Sequence, residues 1–256
     1  MGHHVGIHRN LDPLYDFPKR RLVKSLVRDM PLRTSSLRTL GAYANVFAIE
    51  SFMDELAEAA GIDKVEFRLK HLKDERGRAV LEAAAEAIGW PPGPGGTGTG
   101  KGIAFNRYKN GKAYAAVGME VEVNTETGAI RVIRAAVAGD AGQVVSRDGL
   151  SCQLEGGVLQ AISWTLRERV RFGPQRIESV DWETYPILAF PDAPPVECIL
   201  INRPGAPYLG SGEGSQGPGG AALANAVAHA CGTRLREIPF TPERVRAMLA
   251  AAEREK

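Results

Sequence analysis

Glu213 stands in Tyr208-Leu-Gly-Ser-Gly-Glu213-Gly-Ser-Gln-Gly-Pro218, one carboxylate on a glycine-rich turn. Glycines on both sides let the backbone take positive φ and leave room for a ligand to approach. A carboxylate held in such a turn can act as a general base. Two other readings stand beside it. Gly212 to Gly217 has the spacing of a dinucleotide-binding fingerprint, with Glu237 about twenty residues on, where a ribose-binding acid would fall. Against this, Pro204 and Pro207 separate the turn from the apolar run Val196 to Ile201, and too little chain follows for such a domain. The third reading is a plain turn that uses glycine for its φ angles.

Other residues carry possible chemistry. Gln153, Gly156 and Gly157 open a helix expected from Gly149 to Leu166, where small residues beside an amide permit close approach of something bulky. Helix-to-helix packing explains the same glycines equally well. Arg38 and Gly41 lie in a polar loop, Leu32 to Asn45, that runs into a helix. His3, His4 and His8 have no acidic partner at ligand spacing, so no metal site is assigned to them. Gly95 to Lys101 nearly matches a phosphate loop. However, Gly102 stands where a magnesium-binding hydroxyl should be, and the helix precedes and the strand follows, the reverse of what that motif needs.

The elements that must position these residues are readable from periodicity. Asn45 suits an N-cap for a helix ending near Gly61, with Val46, Ile49, Phe52, Met53 and Leu56 as its buried stripe. Glu50 falls inside that stripe and is expected to accept bonds from a nearby loop, a structural role. Asp63 caps a helix from Lys64 to Leu72, and Val80 to Ile88 forms another. After the glycine- and proline-rich stretch the period changes to two: Ile103 to Tyr108, Ala113 to Val123 and Ala129 to Val137 read as an antiparallel meander with turns at Asn110-Gly111 and Thr127-Gly128. Phe172 to Phe190 reads as an irregular pair of strands with Trp182, Tyr185 and Pro186 at a core edge. Val196 to Ile201 is a strand, and Gly219 to Cys231 and the segment from Thr241-Pro242 are helices. Phe17 to Met30 suits either a strand or a short helix.

The fold class is therefore α+β, with mixed helices and mainly antiparallel sheet. Three parts are expected: an N-terminal arm and helical part over 1–92, a Gly/Pro linker over 93–102, and an α+β part over 103–256 that carries Glu213. The chain has 256 residues, 44% of them hydrophobic and 24% charged, with net charge +2, an ordinary globular composition. With 32 basic and 30 acidic residues interspersed, no nucleic-acid footprint is present. Neither a membrane-spanning run nor a signal-peptide core is seen, so direct membrane insertion is not expected. Cys152, Cys198 and Cys231 read as reduced, buried thiols, which favours a reducing compartment.

Taken together, the segments resemble the molybdenum-binding large subunit of the xanthine dehydrogenase family of molybdenum hydroxylases, in particular its isoquinoline 1-oxidoreductase and nicotinate dehydrogenase type. The resemblance rests on Arg38-Thr-Leu-Gly-Ala-Tyr-Ala-Asn-Val-Phe-Ala-Ile-Glu50-Ser-Phe-Met-Asp-Glu-Leu-Ala57, on Gln153-Leu-Glu-Gly-Gly157, and on Gly210-Ser-Gly-Glu213. It runs from about Tyr15 to Leu249 and covers only the C-terminal part of that subunit. It implies oxidation of an aldehyde or N-heteroaromatic substrate with water-derived oxygen at a molybdenum–molybdopterin centre, the pterin in its cytosine dinucleotide form. It further implies Glu213 as the general base, with Gln153, Gly156, Gly157 and Gly212 at the cofactor and Arg38 and Gly41 toward the substrate side.

The partners so implied are a second chain supplying the rest of the molybdopterin-binding subunit, an iron–sulfur small subunit, and FAD or haem on a further partner. A cytoplasmic location is expected, or a periplasmic one if a partner carries an export signal. Two positions depart from the pattern. Leu40 replaces the aromatic of purine-oxidising members, and Ser146-Arg147 replaces an Asn-Pro pair. The alternative is a non-catalytic structural or vestigial fragment of such a subunit.

Overall fold

The computed structural model describes residues 6–27, 29–32 and 37–254. Strands β1 (Thr99–Arg107), β2 (Tyr114–Val123) and β3 (Ile130–Asp140) form the expected antiparallel meander. Strand β4 (Val196–Leu200) adds to β3 in parallel, giving the order β1-β2-β3-β4. A parallel neighbour needs a crossover connection, and helix α4 (Arg147–Leu166) lies in it.

Helices cover both faces of this sheet. On one face α1 (Ala42–Ala60), α2 (Lys64–His71) and α3 (Glu75–Ile88) pack Met53, Phe67 and Leu81 against Ile103, Phe105 and Ala116. On the other, α4 and α5 (Gln216–Cys231) pack Leu154 and Leu223 against Ala104, Val117 and Met119. Burial on both sides explains why β2 is apolar along most of its length. Helix α6 (Pro242–Arg254) closes the described chain and sets Val245 in the α5 core.

Helix α5 is the centre of the molecule. Every residue in it except His229 and Cys231 is buried, which is why its sequence is small and apolar all round rather than along one stripe. It lies so close on β1 that a methyl group at Gly102 would sit 2.3 Å from the Ala222 carbonyl oxygen, and one at Gly100 2.3 Å from that of Ala226. Gly100 and Gly102, within the stretch expected as a linker at 93–102, are therefore packing surface, and Thr99 to Gly102 belong to β1.

Several local expectations change. The first long helix begins at Ala42, and Asn45 does not cap it: its Nδ2 donates to the carbonyls of Ile7 and Arg9 at 2.8 and 2.9 Å. The described part of the N-terminal arm, from Gly6 on, is thus irregular but docked. Phe172 to Phe190 holds only an isolated bridge between Phe172 and Ile177, and Trp182 is 74% exposed rather than at a core edge. The described part of Phe17 to Met30 is neither helix nor strand. The three cysteines are free, but Cys152 is exposed and the other two are half-buried. His3 and His4 lie outside the described residues, and His8 is exposed.

Candidate active site

The turn that carries Glu213 is fixed on both flanks. Ahead of it, the Ala113 N–H donates to the Gly210 carbonyl at 3.1 Å and the Leu209 N–H to that of Ala141 at 2.9 Å. Behind it, the Ser215 hydroxyl donates to the Leu154 carbonyl of α4 at 2.8 Å, and α5 begins at the next residue. Glu213 is left one-third exposed between these anchors. Its Oε1 accepts from the Thr39 N–H at 2.9 Å and its Oε2 from the Tyr108 hydroxyl at 2.8 Å. Lys109 Nζ stands 3.9 Å from Oε2, and the Arg9 guanidinium donates to the Tyr108 oxygen at 3.0 Å.

The electrostatics follow from these contacts. Partial burial alone would raise the proton affinity of Glu213. The Thr39 N–H, the Tyr108 hydroxyl and the charges of Lys109 and Arg9 outweigh it and hold the carboxyl below its ordinary value. Burial and the bond to Glu213 push Tyr108 up to about 12, so it stays a donor at neutral pH. Both loops that touch Glu213 contain residues in the left-handed region: Thr39 and Leu40 at φ +76° and +54°, Lys109 and Asn110 at +54° and +52°. Such conformations persist only where the surroundings enforce them.

Arg38 joins this turn to α4. Its Nε donates to the Gly212 carbonyl at 2.6 Å and its Nη2 to Gln153 Oε1 at 3.0 Å. Nη1 reaches Gln160 at 3.4 Å, and Gln216, with its amide oxygen turned inward, accepts from Nη1 at 3.2 Å. Burial lowers the proton affinity of the guanidinium, and Glu213 opposes that shift.

The structure therefore brings Glu213, Gly212, Arg38 and Gln153 together. Gly156 lies further along α4 and faces open space where its side chain would be. Two expected site residues are placed differently. A methyl group at Gly157 would fall 2.1 Å from Ser215 Oγ, so this glycine serves the packing of α4 on the start of α5. One at Gly41 would fall 2.4 Å from the Ile7 carbonyl oxygen, so that glycine admits the N-terminal arm.

Sequence reasoning missed Thr39, Tyr108, Lys109, Arg9, Gln160 and Gln216. Only Gln160 had a usable signal, seven residues after Gln153 and so on the same helical face. Beside the loop lies a recess of about 440 Å³, walled by Leu37, Leu40, Tyr43 and Trp164. The Tyr43 and Trp164 rings meet edge to face at 5.2 Å, and Tyr185 and the charged Glu168, Arg169 and Arg244 line the recess as well. No group of three metal-ligating side chains occurs among the described residues.

This α+β domain, with helices on both faces of its sheet, gathers a carboxylate, a guanidinium and amides at an open edge rather than in a closed pocket. Residues 27–194 match the family model of the molybdopterin cofactor-binding domain, and the chain belongs to that family. It is 41% identical over 253 residues to a nicotinate dehydrogenase subunit from Pseudomonas putida, a match covering 93% of this chain and 21% of that protein. The isoquinoline 1-oxidoreductase beta subunit of Brevundimonas diminuta is 32% identical over 231 residues, 89% of this chain and 29% of that one. Among solved structures, quinoline 2-oxidoreductase from Pseudomonas putida 86 shares the fold with a TM-score of 0.73 at 12% identity, over 83% of this chain and 52% of that chain. The chain thus spans between a fifth and a third of the length of these two curated relatives. No helix among the described residues is long and apolar enough to cross a membrane.

Proposed function

We propose that this chain is the portion of a molybdenum hydroxylase large subunit that supplies a general base, Glu213, and one wall of the molybdopterin site. The carrying observation is the carboxylate of Glu213. Two donors aim at it from different elements, and it sits on a turn that Arg38 ties to Gln153.

The residues at this edge fit a bulky anionic pterin. Gln153 is exposed, its oxygen is taken by Arg38, and its amide nitrogen has no acceptor among the described residues. Gly212 is exposed as well, and Gly156 offers open backbone. Gln153, Gly156 and Gly212 would hold the cofactor, with Arg38 fixing them from behind. When bound, the molybdenum–pterin group supplies the oxidising centre and a water-derived oxygen. Glu213 then accepts a proton at its carboxylate, a task for which it must start ionised, as its donors keep it.

The relatives named for nicotinate, isoquinoline and quinoline favour an N-heteroaromatic substrate, with an aldehyde as the other choice. The recess beside Leu40 is on the substrate side. The pterin as cytosine dinucleotide, an iron–sulfur subunit, and FAD or haem further along the electron path complete the proposal. So does a second chain carrying the remainder of the large subunit. Assembly in the cytoplasm, or in the periplasm if a partner carries an export signal, belongs to the same reading.

The test is Glu213→Gln in the assembled enzyme. Turnover should fall by about 10²–10⁴-fold, the usual contribution of a general base, with molybdenum and pterin content unchanged. Full turnover in that variant would overturn the reading and leave a non-catalytic structural fragment.

A further inference from the structure

Glu213 is addressed from three elements: the loop before α1 through Thr39 and Arg38, the turn after β1 through Tyr108 and Lys109, and the N-terminal arm through Arg9. We propose that Tyr108 is the positioning residue of Glu213, fixing the orientation of its carboxylate, and that Arg9 of the arm sets the direction of the Tyr108 hydroxyl. This rests on Glu213 being the base.

A tyrosine hydroxyl has one proton to give and lone pairs to receive. Arg9 donates to the Tyr108 oxygen at 3.0 Å, so the receiving side is occupied and the hydroxyl proton is directed at Glu213 Oε2, 2.8 Å away. Lys109 cannot replace this function. Its ammonium is 3.9 Å from Oε2 and 5.0 Å over the Tyr108 ring, a charge that attracts the carboxylate without orienting it.

The arm is built to keep Arg9 there. Gly41 donates its N–H to the Gly6 carbonyl at 3.1 Å, and Asn45 holds the carbonyls of Ile7 and Arg9. Asn10 then bonds the turn itself, donating to the Arg107 carbonyl at 2.8 Å and accepting from the Lys109 N–H at 2.9 Å. One segment therefore grips both loops that touch Glu213, which explains why Gly41 and Asn45 face the arm.

The sign of the effect is fixed. A donor to the ionised form lowers the carboxyl's proton affinity, so removing it raises that affinity and Glu213 stays protonated to higher pH. The experiment is a pH titration of the full chain labelled with carboxyl-¹³C glutamate, the Glu213 signal being assigned by its loss in Glu213→Gln. In Tyr108→Phe the Glu213 carboxyl should become an acid weaker by about tenfold, as expected for losing one hydrogen bond to a charge. Arg9→Gln should move it in the same direction by less.

The acid limb of kcat/KM in the assembled enzyme should move to higher pH with Tyr108→Phe, whereas a merely structural lesion lowers the profile without moving it. An unchanged Glu213 titration in Tyr108→Phe overturns the proposal. If that variant loses its folded spectrum, Arg9→Gln on the surface arm decides in its place, with an unshifted titration again the overturning result. The titration needs no turnover. It can therefore succeed even where an active Glu213→Gln enzyme sinks the reading of Glu213 as base.

Discussion

Arg38 divides one guanidinium among the Gly212 carbonyl, Gln153, Gln160 and Gln216, and that geometry needs a planar fork. A lysine keeps the charge but not the fork, so Arg38→Lys is not a conservative change here. Glu213 retains its bonds from Thr39 and Tyr108 in that variant, while Gln153 and the Gly212 backbone lose their common anchor. Purified enzyme carrying Arg38→Lys should retain molybdenum and pterin roughly 10–100-fold more weakly, the range found when groups supporting direct ligands are removed. Unchanged metal and pterin content would take Arg38 out of the cofactor wall. Glu213, Arg38 and Gln153 stood out in the sequence as candidates because each sits in a short motif whose residue types carry chemistry, and the fold brings the three together. Tyr108 and Thr39 were not, because their meaning lies in contacts across 105 and 174 residues that no local spacing encodes. Gly41 and Gly157 were legible as positions of close approach, but the approaching group is protein backbone and Ser215 rather than a ligand.

The elements that hold these residues are joined at a buried ionic knot. Arg68 of α2 donates to Glu50 Oε2 at 2.8 Å, to the Glu50 carbonyl at 2.9 Å and to Asp54 Oδ1 at 2.7 Å, all out of reach of water. Tyr15 and the Phe105 N–H fill the remaining valences of Glu50, so the arm, α1, α2 and β1 meet at one carboxylate. Burial pushes the Glu50 carboxyl up, and Arg68 is the largest force opposing it. Arg68→Met would leave Glu50 buried without its cation, while Asp54 keeps Lys64 at 3.3 Å and Arg234 at 3.7 Å, and a broken buried pair costs about 3–5 kcal/mol. Urea unfolding should show that loss. Arg131→Gln, which removes the exposed pair with Glu122, should stay within about 1 kcal/mol of the parent. Similar losses in the two variants would deny the knot its role. The sequence announced Glu50 as a polar residue on an apolar stripe, and the period-two runs placed β1 to β3 to within a few residues. Gly100 and Gly102 were unreadable for a physical reason: a glycine kept because an added methyl would fall 2.3 Å from a helix carbonyl looks the same in sequence as glycine selected for freedom.

At the scale of the whole molecule the outstanding fact is apolar surface left in water. From Pro18 to Pro31 every described residue is exposed, and this stretch holds Leu22, Val23, Leu26, Val27 and Met30 with no regular structure to bury them. Phe190, 94% exposed, adds a further apolar residue in the irregular region before β4. The relatives are three to five times as long as this match, and the strap leads directly into the loop that carries Arg38. We expect the remainder of a molybdopterin-binding subunit to cover it, through a face that is apolar and acidic, since Lys19, Arg20, Arg21 and Lys24 flank the apolar residues. Burying four such side chains is worth up to roughly 6–12 kcal/mol at about 1.5–3 each. Association also costs about 4–15 kcal/mol in lost freedom, so the strap contributes a large share of the gross energy a complex needs without fixing its affinity alone. Replacing Leu22, Val23, Leu26 and Val27 by serine should leave the circular dichroism and melting of the chain unchanged, because those side chains touch no core. Recovery of the completing chain in co-purification should fall at least tenfold, and bound molybdenum with it. If the quadruple variant still recovers its partner in full, the strap is not the interface, and the open wall around Gln153 and Gly212 must be closed from another side.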